Sequence, residues 1–217
     1  MSGYEILSLD DLDRIPYRGS GEVLRPLRRQ LGFQPFGVNA WSAEAAGDKL
    51  IPPHEEESGH EELYVVVRGT ARFTLGEETF DAPAGTLVHA PAGTFRVATA
   101  ADPGTMVLAT GAKAGETFVP GGWEDVHIAF AQLDAGDVPA GRAIMQAQLE
   151  RADRAGEGWG GHYNLACYEA MDGNADAAFE ELRVALELNR DKVMDWLPKD
   201  SDLDPLRDDP RFGELSA

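Results

Sequence analysis

Between residues 31 and 118, hydrophobic positions occur in short runs that are separated by glycine and proline. Residues 70–75 alternate polar and apolar side chains, which is the period of a half-buried strand. Residues 63–67 and 106–110 are rich in types that favour strands. Regular short strands with such turns are typical of a β-sandwich or a β-barrel. The pattern therefore predicts a β-domain over residues 1–118.

After Gly121 and Gly122 the pattern becomes helical, because alanine is common there and β-branched residues are rare. Helices are predicted over residues 126–133, 140–152, 163–171 and 177–188, with a glycine-rich loop over 154–161. The residues that share one apolar face of the last helix are Phe179, Leu182, Ala185, Leu186 and Leu188. We therefore predict an all-α domain over residues 123–217. The fold class is α+β in two domains.

Two spaced motifs in the β-domain have the form of a known family pattern. Six residues separate Glu62 from Gly69, and five residues separate Gly85 from Pro91, with Gly93 close behind. These segments resemble the paired motifs of the cupin superfamily, which are small β-barrels that usually hold a divalent metal. The resemblance implies a double-stranded β-helix barrel over about residues 31–118.

The resemblance also implies a set of metal ligands near the first motif. His54 and Glu62 fit the first histidine and the glutamate of the family, and Glu56 stands in place of the second histidine. His60 precedes Glu62 by two positions, so in a strand both side chains would point to the same side. One interpretation is a site of His54, His60 and Glu62, with His89 as a further candidate ligand. It would hold a divalent metal such as zinc, iron, manganese or nickel.

The second motif departs from the family pattern at Arg96, which stands where a metal-binding histidine is expected. In the competing interpretation the metal site is lost and Arg96 forms an ion pair with Glu62 inside the barrel. Arg96 can instead bind the carboxylate of a ligand. The residues of such a ligand site are Arg96, Glu62, Tyr64 and His89.

The helical part contains a second resemblance. The Gly136 and Gly173 turns lie 37 residues apart, near a repeat period of about 34 residues. Small and apolar residues that let two helices approach closely are Leu165, Ala166, Ala178, Leu182 and Ala185. Residues 162–192 thereby resemble a tetratricopeptide repeat, which implies a protein or peptide partner. Residues 202–212 resemble the tail that follows such repeats, where Leu203, Leu206 and Phe212 would cap the last helix pair.

Charge limits the choice of partners. The chain of 217 residues has a formal charge of −19, divided into −7 over residues 1–122 and −12 over residues 123–217. Both parts would be repelled by nucleic acid and by anionic membranes, so neither is an expected partner. A local basic cluster of Arg25, Arg28 and Arg29 is interpreted as a solvated face.

Several features predict a cytoplasmic protein. Cys167 is the single cysteine, so no intrachain disulfide can form. The first residues lack the pattern of a signal peptide, and no apolar stretch reaches the roughly 18 residues that span a bilayer.

The function favoured by these features is a non-enzymatic module for binding a small ligand or for dimerisation, coupled to a protein-interaction domain. A homodimer through the barrel is expected, because cupin barrels commonly pair through their outer sheets. The alternative is a metal-dependent dioxygenase or isomerase with His54, His60 and Glu62 as ligands. A third interpretation is a scaffold in which the barrel only dimerises.

Overall fold

The chain forms two compact units, Met1–Pro120 and Gly121–Ala217. The structure is a computed structural model that describes residues 5–17, 21–56, 59–156 and 158–215. The boundary falls beside Gly121 and Gly122, where the sequence predicts a linker. Each unit is described by itself.

The described part of the first unit contains ten strands, one short 3-10 helix (Leu9–Asp11) and one short α-helix, α1 (Leu27–Gln30). The strands are β1 (Ile15–Pro16), β2 (Glu22–Arg25), β3 (Gly37–Ala43), β4 (Lys49–His54), β5 (Glu61–Arg68), β6 (Thr70–Leu75), β7 (Glu78–Pro83), β8 (Leu87–Ala90), β9 (Arg96–Ala100) and β10 (Met106–Ala112).

These strands form two antiparallel sheets, in the orders β1-β2-β3-β10-β5-β8 and β4-β9-β6-β7. Of the last eight strands, β3, β5, β8 and β10 belong to the first sheet, and β4, β6, β7 and β9 belong to the second. This is the topology of the double-sheet jelly roll, which is the architecture of cupins. The predicted barrel fold is therefore present, with β1 and β2 added at one edge.

Alternate side chains fill the space between the two sheets. Tyr64 and Val66 of β5 and Phe73 of β6 are buried there, and the rings of Tyr64 and Phe73 lie 5.5 Å apart. The same alternation on β9 buries Arg96 and Ala98, both with no exposed surface. Strand geometry therefore places the Arg96 guanidinium inside the barrel.

The interpretation of the basic cluster as a solvated face is wrong for two of its members. Arg25 is 4% exposed and Arg28 is 7% exposed. Arg25 Nε donates to Ser42 Oγ at 3.2 Å, and Arg25 Nη1 donates to the Leu9 carbonyl at 3.2 Å. Because the N-terminal segment supplies this carbonyl acceptor, Arg25 can be buried as a structural residue.

The described part of the second unit contains four long helices and a short C-terminal part. They are α2 (Trp123–Asp134), α3 (Val138–Ala155), α4 (Gly158–Met171) and α5 (Ala175–Trp196), followed by a 3-10 helix (Ser201–Leu206) and α6 (Pro210–Leu215). Helix α5 is interrupted at Asn189, whose φ of −156° and ψ of 81° are not helical. Leu203 and Leu206 are buried in the core, and Phe212 packs against it. The packing of these three residues agrees with the predicted capping tail, and the capping role itself stays a prediction.

The predicted loop over residues 154–161 is wrong at both ends, because α3 continues to Ala155 and α4 already begins at Gly158. A Cβ atom at Gly161 would lie 3.1 Å from Leu149 Cα and 2.9 Å from Leu149 Cδ1. Glycine at this position therefore serves the close packing of α3 against α4 and does not mark a turn. The helical hairpins agree with the prediction, and their assignment as tetratricopeptide repeats stays a prediction. None of the described helices combines the length and apolar character that a membrane crossing needs.

Candidate ligand and metal site

One end of the barrel gathers the polar residues of the two family motifs. Strand β4 ends at His54 and β9 begins at Arg96, and these two residues lie opposite each other across the strand pair. Glu62 and Tyr64 come from the start of β5 in the other sheet. Both sheets therefore contribute side chains to the same site.

Arg96 is the largest fully buried side chain of the described residues. Its Nη2 donates to the Pro91 carbonyl at 2.8 Å, and its Nη1 lies 3.2 Å from Glu62 Oε2 as an ion pair. The ion pair predicted between these two residues is thus present. Nε and Nη1 nevertheless have no hydrogen-bond acceptor among the described residues. Buried donors of this kind are rare in native proteins, since nearly all of them find a partner.

Glu62 is the acidic centre of the site. Its Oε2 accepts a hydrogen bond from the Tyr64 hydroxyl at 2.5 Å and also faces Arg96. Burial opposes ionisation of Glu62, but hydrogen bonds with His54 and Tyr64 outweigh it and lower the pKa of the carboxyl group. Burial, together with the Glu62 charge, raises the pKa of Tyr64. Tyr64 is therefore a neutral donor and Glu62 is an anion.

His54 faces the same carboxylate oxygen. His54 Nδ1 lies 2.8 Å from the Pro52 carbonyl oxygen, which can only accept, so Nδ1 carries a proton. This leaves Nε2 directed to Glu62 Oε2 at 3.5 Å. The hydrogen bond with Glu62 raises the pKa of His54, against the effect of burial. Nε2 of the neutral ring presents a lone pair to an anion, so a second proton or a cation is required between them.

A metal ion fits a closely related set of residues. One ligand atom each of His54, Glu56 and Glu62 lies within 4.8 Å of the others. An imidazole nitrogen and two carboxylates form a donor set that zinc, iron, manganese and nickel accept. The contact of His54 Nδ1 with a backbone carbonyl is the outer-shell bond that commonly orients a metal-binding histidine.

The structure does not bring two of the predicted residues into this group. His60 lies before β5 begins, and its ring is 6.0 Å from the ring of Phe118. The alternation that would align His60 with Glu62 applies only within a strand, which explains the difference. Glu56 lies in the group where the prediction had placed His60.

His89 is also outside the group. It lies opposite Leu63 across β5 and β8, at a position that faces away from the barrel interior. Its Nε2 lies 3.4 Å from Glu61 Oε2, and both side chains are more than half exposed. The period of two along β8 buries Val88 and Ala90 and so directs His89 outward.

Sequence comparisons find no matching family model and no matching curated protein. Solved structures with a similar fold are cupin proteins. One is a cupin protein from Bacteroides fragilis, with a TM-score of 0.40, 22% identity, and coverage of 56% of this chain and 93% of that chain. A sugar phosphate isomerase of the cupin superfamily from Silicibacter pomeroyi has a TM-score of 0.43 and 22% identity, and the match covers 54% of this chain and 77% of that one. A predicted oxalate decarboxylase from Thermotoga maritima has a TM-score of 0.41 and 14% identity, over 49% of this chain and 97% of the other.

Proposed function

We propose that the barrel is a non-enzymatic binding site for a small organic anion, with Arg96 as the residue that holds its carboxylate. The observation that supports this proposal is a guanidinium with no exposed surface whose Nε and Nη1 lack hydrogen-bond acceptors among the described residues. A buried donor without a partner costs about 1–3 kcal/mol, and more when it is charged. A bound carboxylate would remove this cost with charge-assisted hydrogen bonds.

The neighbours of Arg96 suit a ligand that enters from solvent. The side chains of His54 and Glu62 are 33% and 20% exposed, so solvent reaches the rim of the polar end of the barrel, whereas Arg96 itself is covered. Glu62 already shares Oε2 between Tyr64 and Arg96 and therefore neutralises Arg96 only in part. An organic acid that also carries a hydroxyl group could donate to the carboxylates of Glu56 or Glu62.

Calorimetric titration with formate, succinate, benzoate and hydroxy acids tests the proposal. Arg96→Met should weaken the bound acid about 30-fold, which corresponds to the loss of about 2 kcal/mol for a hydrogen bond to a charged group. Arg72→Met is the matched control, because Arg72 is an exposed arginine of the same sheet that pairs with Asp81. An unchanged affinity of Arg96→Met for every acid that binds the wild type would refute the proposal, as would no binding at all.

A metal-dependent enzyme is the second candidate, and the arrangement of His54 and Glu62 favours it. The lone pair of neutral His54 Nε2 and the Glu62 carboxylate converge with Glu56, so a cation between them would replace the missing proton. A bound divalent metal would polarise an oxygen of the substrate. Arg96 would then hold the substrate carboxylate, and Tyr64 would donate to Glu62. The proximity of a second cation, Arg96, is the reason that we rank this candidate second.

Metal content separates the two candidates. Purified protein with one equivalent of zinc, iron, manganese or nickel would favour the enzyme, provided that His54→Gln loses the metal. His60→Gln is the matched control. Because His60 lies outside the group, this variant should retain the metal. Substoichiometric metal in the wild type, with no uptake on titration, would remove this candidate.

A homodimer through the barrel is the partner that we propose for the first unit. Three apolar side chains on the outer face of β5 and β8 are exposed: Leu63 by 37%, Val67 by 38% and Leu87 by 64%. The solvent face of an antiparallel sheet is usually polar, so these side chains form an apolar patch that suits a partner. A groove of about 330 Å³ beside them is lined by Phe36, Leu63, His89 and Thr110, among others. Leu87→Glu should convert the dimer to a monomer by light scattering. A wild-type monomer would refute the proposal.

For the helical unit we propose a role in docking a protein segment, as its predicted repeats suggest. Trp196 and Leu188 are exposed by 43% and 56%. Peptides selected from a displayed library on the full chain should lose binding in Trp196→Ala and keep it in Val119→Ala. Equal binding by both variants would contradict this role. The cytoplasmic location stays a prediction.

A further inference from the structure

A pair of glycines leaves space on the inner face of the barrel beside Glu62. Gly111 lies directly opposite Gly37 on β3 and opposite Glu62 on β5. Residues opposite each other in antiparallel strands share a face, so both glycines face the side that holds the Glu62 side chain. A Cβ atom at Gly111 would lie 3.1 Å from Glu62 Cγ, which agrees with this orientation.

The ring of Phe118 occupies this space. Phe118 Cε2 and Cζ both lie 3.2 Å from the position that a Cβ atom of Gly37 would take. The ring also approaches His60, with ring centroids 6.0 Å apart. A side chain at position 37 would crowd the ring, so glycine is the residue that permits this contact.

Phe118 belongs to the segment of residues 113–120, which follows β10 and has no regular structure. A second residue of the segment contacts the chain just before β5, because a Cβ atom at Gly59 would lie 3.1 Å from Lys113 Cε. Val119 is 69% exposed, whereas Phe118 is half-buried. The segment is therefore held at the barrel end by one aromatic side chain and one lysine stem.

We propose that Phe118 is a lid over the open end of the barrel and controls access to Arg96. A single ring on an irregular segment has few contacts to break, so local opening requires little free energy. The ligand that the lid admits is the organic anion of the proposed function, and in this respect the inference rests on that function. Removal of the ring should make the guanidinium accessible without removing any group that binds the anion.

Chemical modification by phenylglyoxal, which reacts with accessible guanidinium groups, tests the lid without a ligand. The rate at Arg96, followed by peptide mass spectrometry, should rise about tenfold in Phe118→Ala, with Phe118→Leu in between. Val119→Ala is the matched control and should react like the wild type. Arg25, a buried arginine that is 4% exposed in the same unit, serves as the internal reference and should stay protected in all variants.

Equal rates at Arg96 in Phe118→Ala and the wild type would overturn the lid. Equal acceleration at Arg96 and Arg25 would also overturn it, because the variant would then have loosened the whole barrel. If Phe118→Ala accelerates the reaction at Arg96 alone and no carboxylate binds either protein, the lid stands and the proposed function fails.

Discussion

Arg96 in the barrel and Arg142 in the helical unit both contact carboxylates, but they are satisfied to different degrees. Arg142 Nε donates to Glu169 Oε1 at 2.6 Å, and Arg142 Nη2 donates to Glu169 Oε2 at 2.9 Å and to Asp172 Oδ2 at 2.6 Å. These hydrogen bonds, with Glu169 as the strongest partner, raise the pKa of Arg142. Among the described residues, Arg96 has one carboxylate neighbour and a single hydrogen bond, which it donates to a backbone carbonyl.

Exposure makes this difference larger. The Arg142 side chain is 31% exposed, so water can reach it in addition to its two acids. Arg96 has no exposed surface and must rely on protein groups or on a bound molecule. An arginine whose hydrogen bonds are all made within the fold has a structural role. A buried arginine with unused donors is a candidate for ligand binding. The first and last of the three predictions below test this distinction, and the second tests the helical unit alone.

The largest expected effect is on the stability of the helical unit. Arg142→Met leaves the buried Glu169 carboxylate without its guanidinium partner and should lower the free energy of unfolding by about 3 kcal/mol. Urea denaturation followed by circular dichroism measures the change. Arg154→Met is the control and should have little effect, because Arg154 is 69% exposed. A loss below that of the control would show that the Arg142 network is not structural.

A titratable group of the helical unit should give a smaller, pH-dependent effect. Burial lowers the pKa of His127 from 6.5 to about 4. The unfolded chain therefore binds the proton first, and stability falls as the pH drops from 6.5 towards 4. Because the His127 side chain is only half-buried, we expect the free energy of unfolding to fall by about 2 kcal/mol. This loss is smaller than the full shift in the pKa of His127 would give.

The matched variant for this prediction is His127→Gln, which has no proton to gain. Between pH 6.5 and pH 4, the free energy of unfolding of this variant should depend less on pH than that of the wild type. Identical pH profiles for the variant and the wild type would show that His127 does not titrate as its burial requires.

The smallest expected effect on stability is that of Arg96→Met. Arg96→Met removes two buried donors that lack acceptors among the described residues, and it leaves Glu62 20% exposed and still bonded to the Tyr64 hydroxyl. These opposing effects should change the free energy of unfolding by less than about 1 kcal/mol. The same substitution should abolish most of the affinity for organic acids. A loss of stability as large as that of Arg142→Met would mean that Arg96 is structural, and the contrast between the two arginines would disappear.

The strand and helix patterns were sufficient to predict a sheet-rich region followed by a helical region. Period two along β5, β6 and β9 marks the buried faces, and the change of texture at Gly121 marks the boundary. The ion pair of Arg96 with Glu62 was also predictable, because the family motifs place both positions inside the same barrel.

Other features depended on tertiary contacts that the sequence does not display. Gly158 and Gly161 have the signal of a loop but lie in a helix, where glycine permits close packing. Arg25 is buried because distant backbone carbonyls accept from it. Glu56 lies in the group with His54 and Glu62, whereas His60 lies against Phe118. The loop before β5 decides these positions, and hydrophobic periodicity does not predict the path of a loop. The contact of the Phe118 ring with β3 depends on the absence of a side chain at Gly37.

The central claim is that the free donors of Arg96 bind a carboxylate, and side-chain NMR of ¹⁵N-labelled protein tests it most directly. The Arg96 Nε–H signal, assigned by its loss in Arg96→Met, should shift and saturate on titration with the acid that binds best. The Arg25 Nε–H signal should stay fixed, since that donor already bonds to Ser42. An Arg96 signal that does not move with any of the acids would contradict the account.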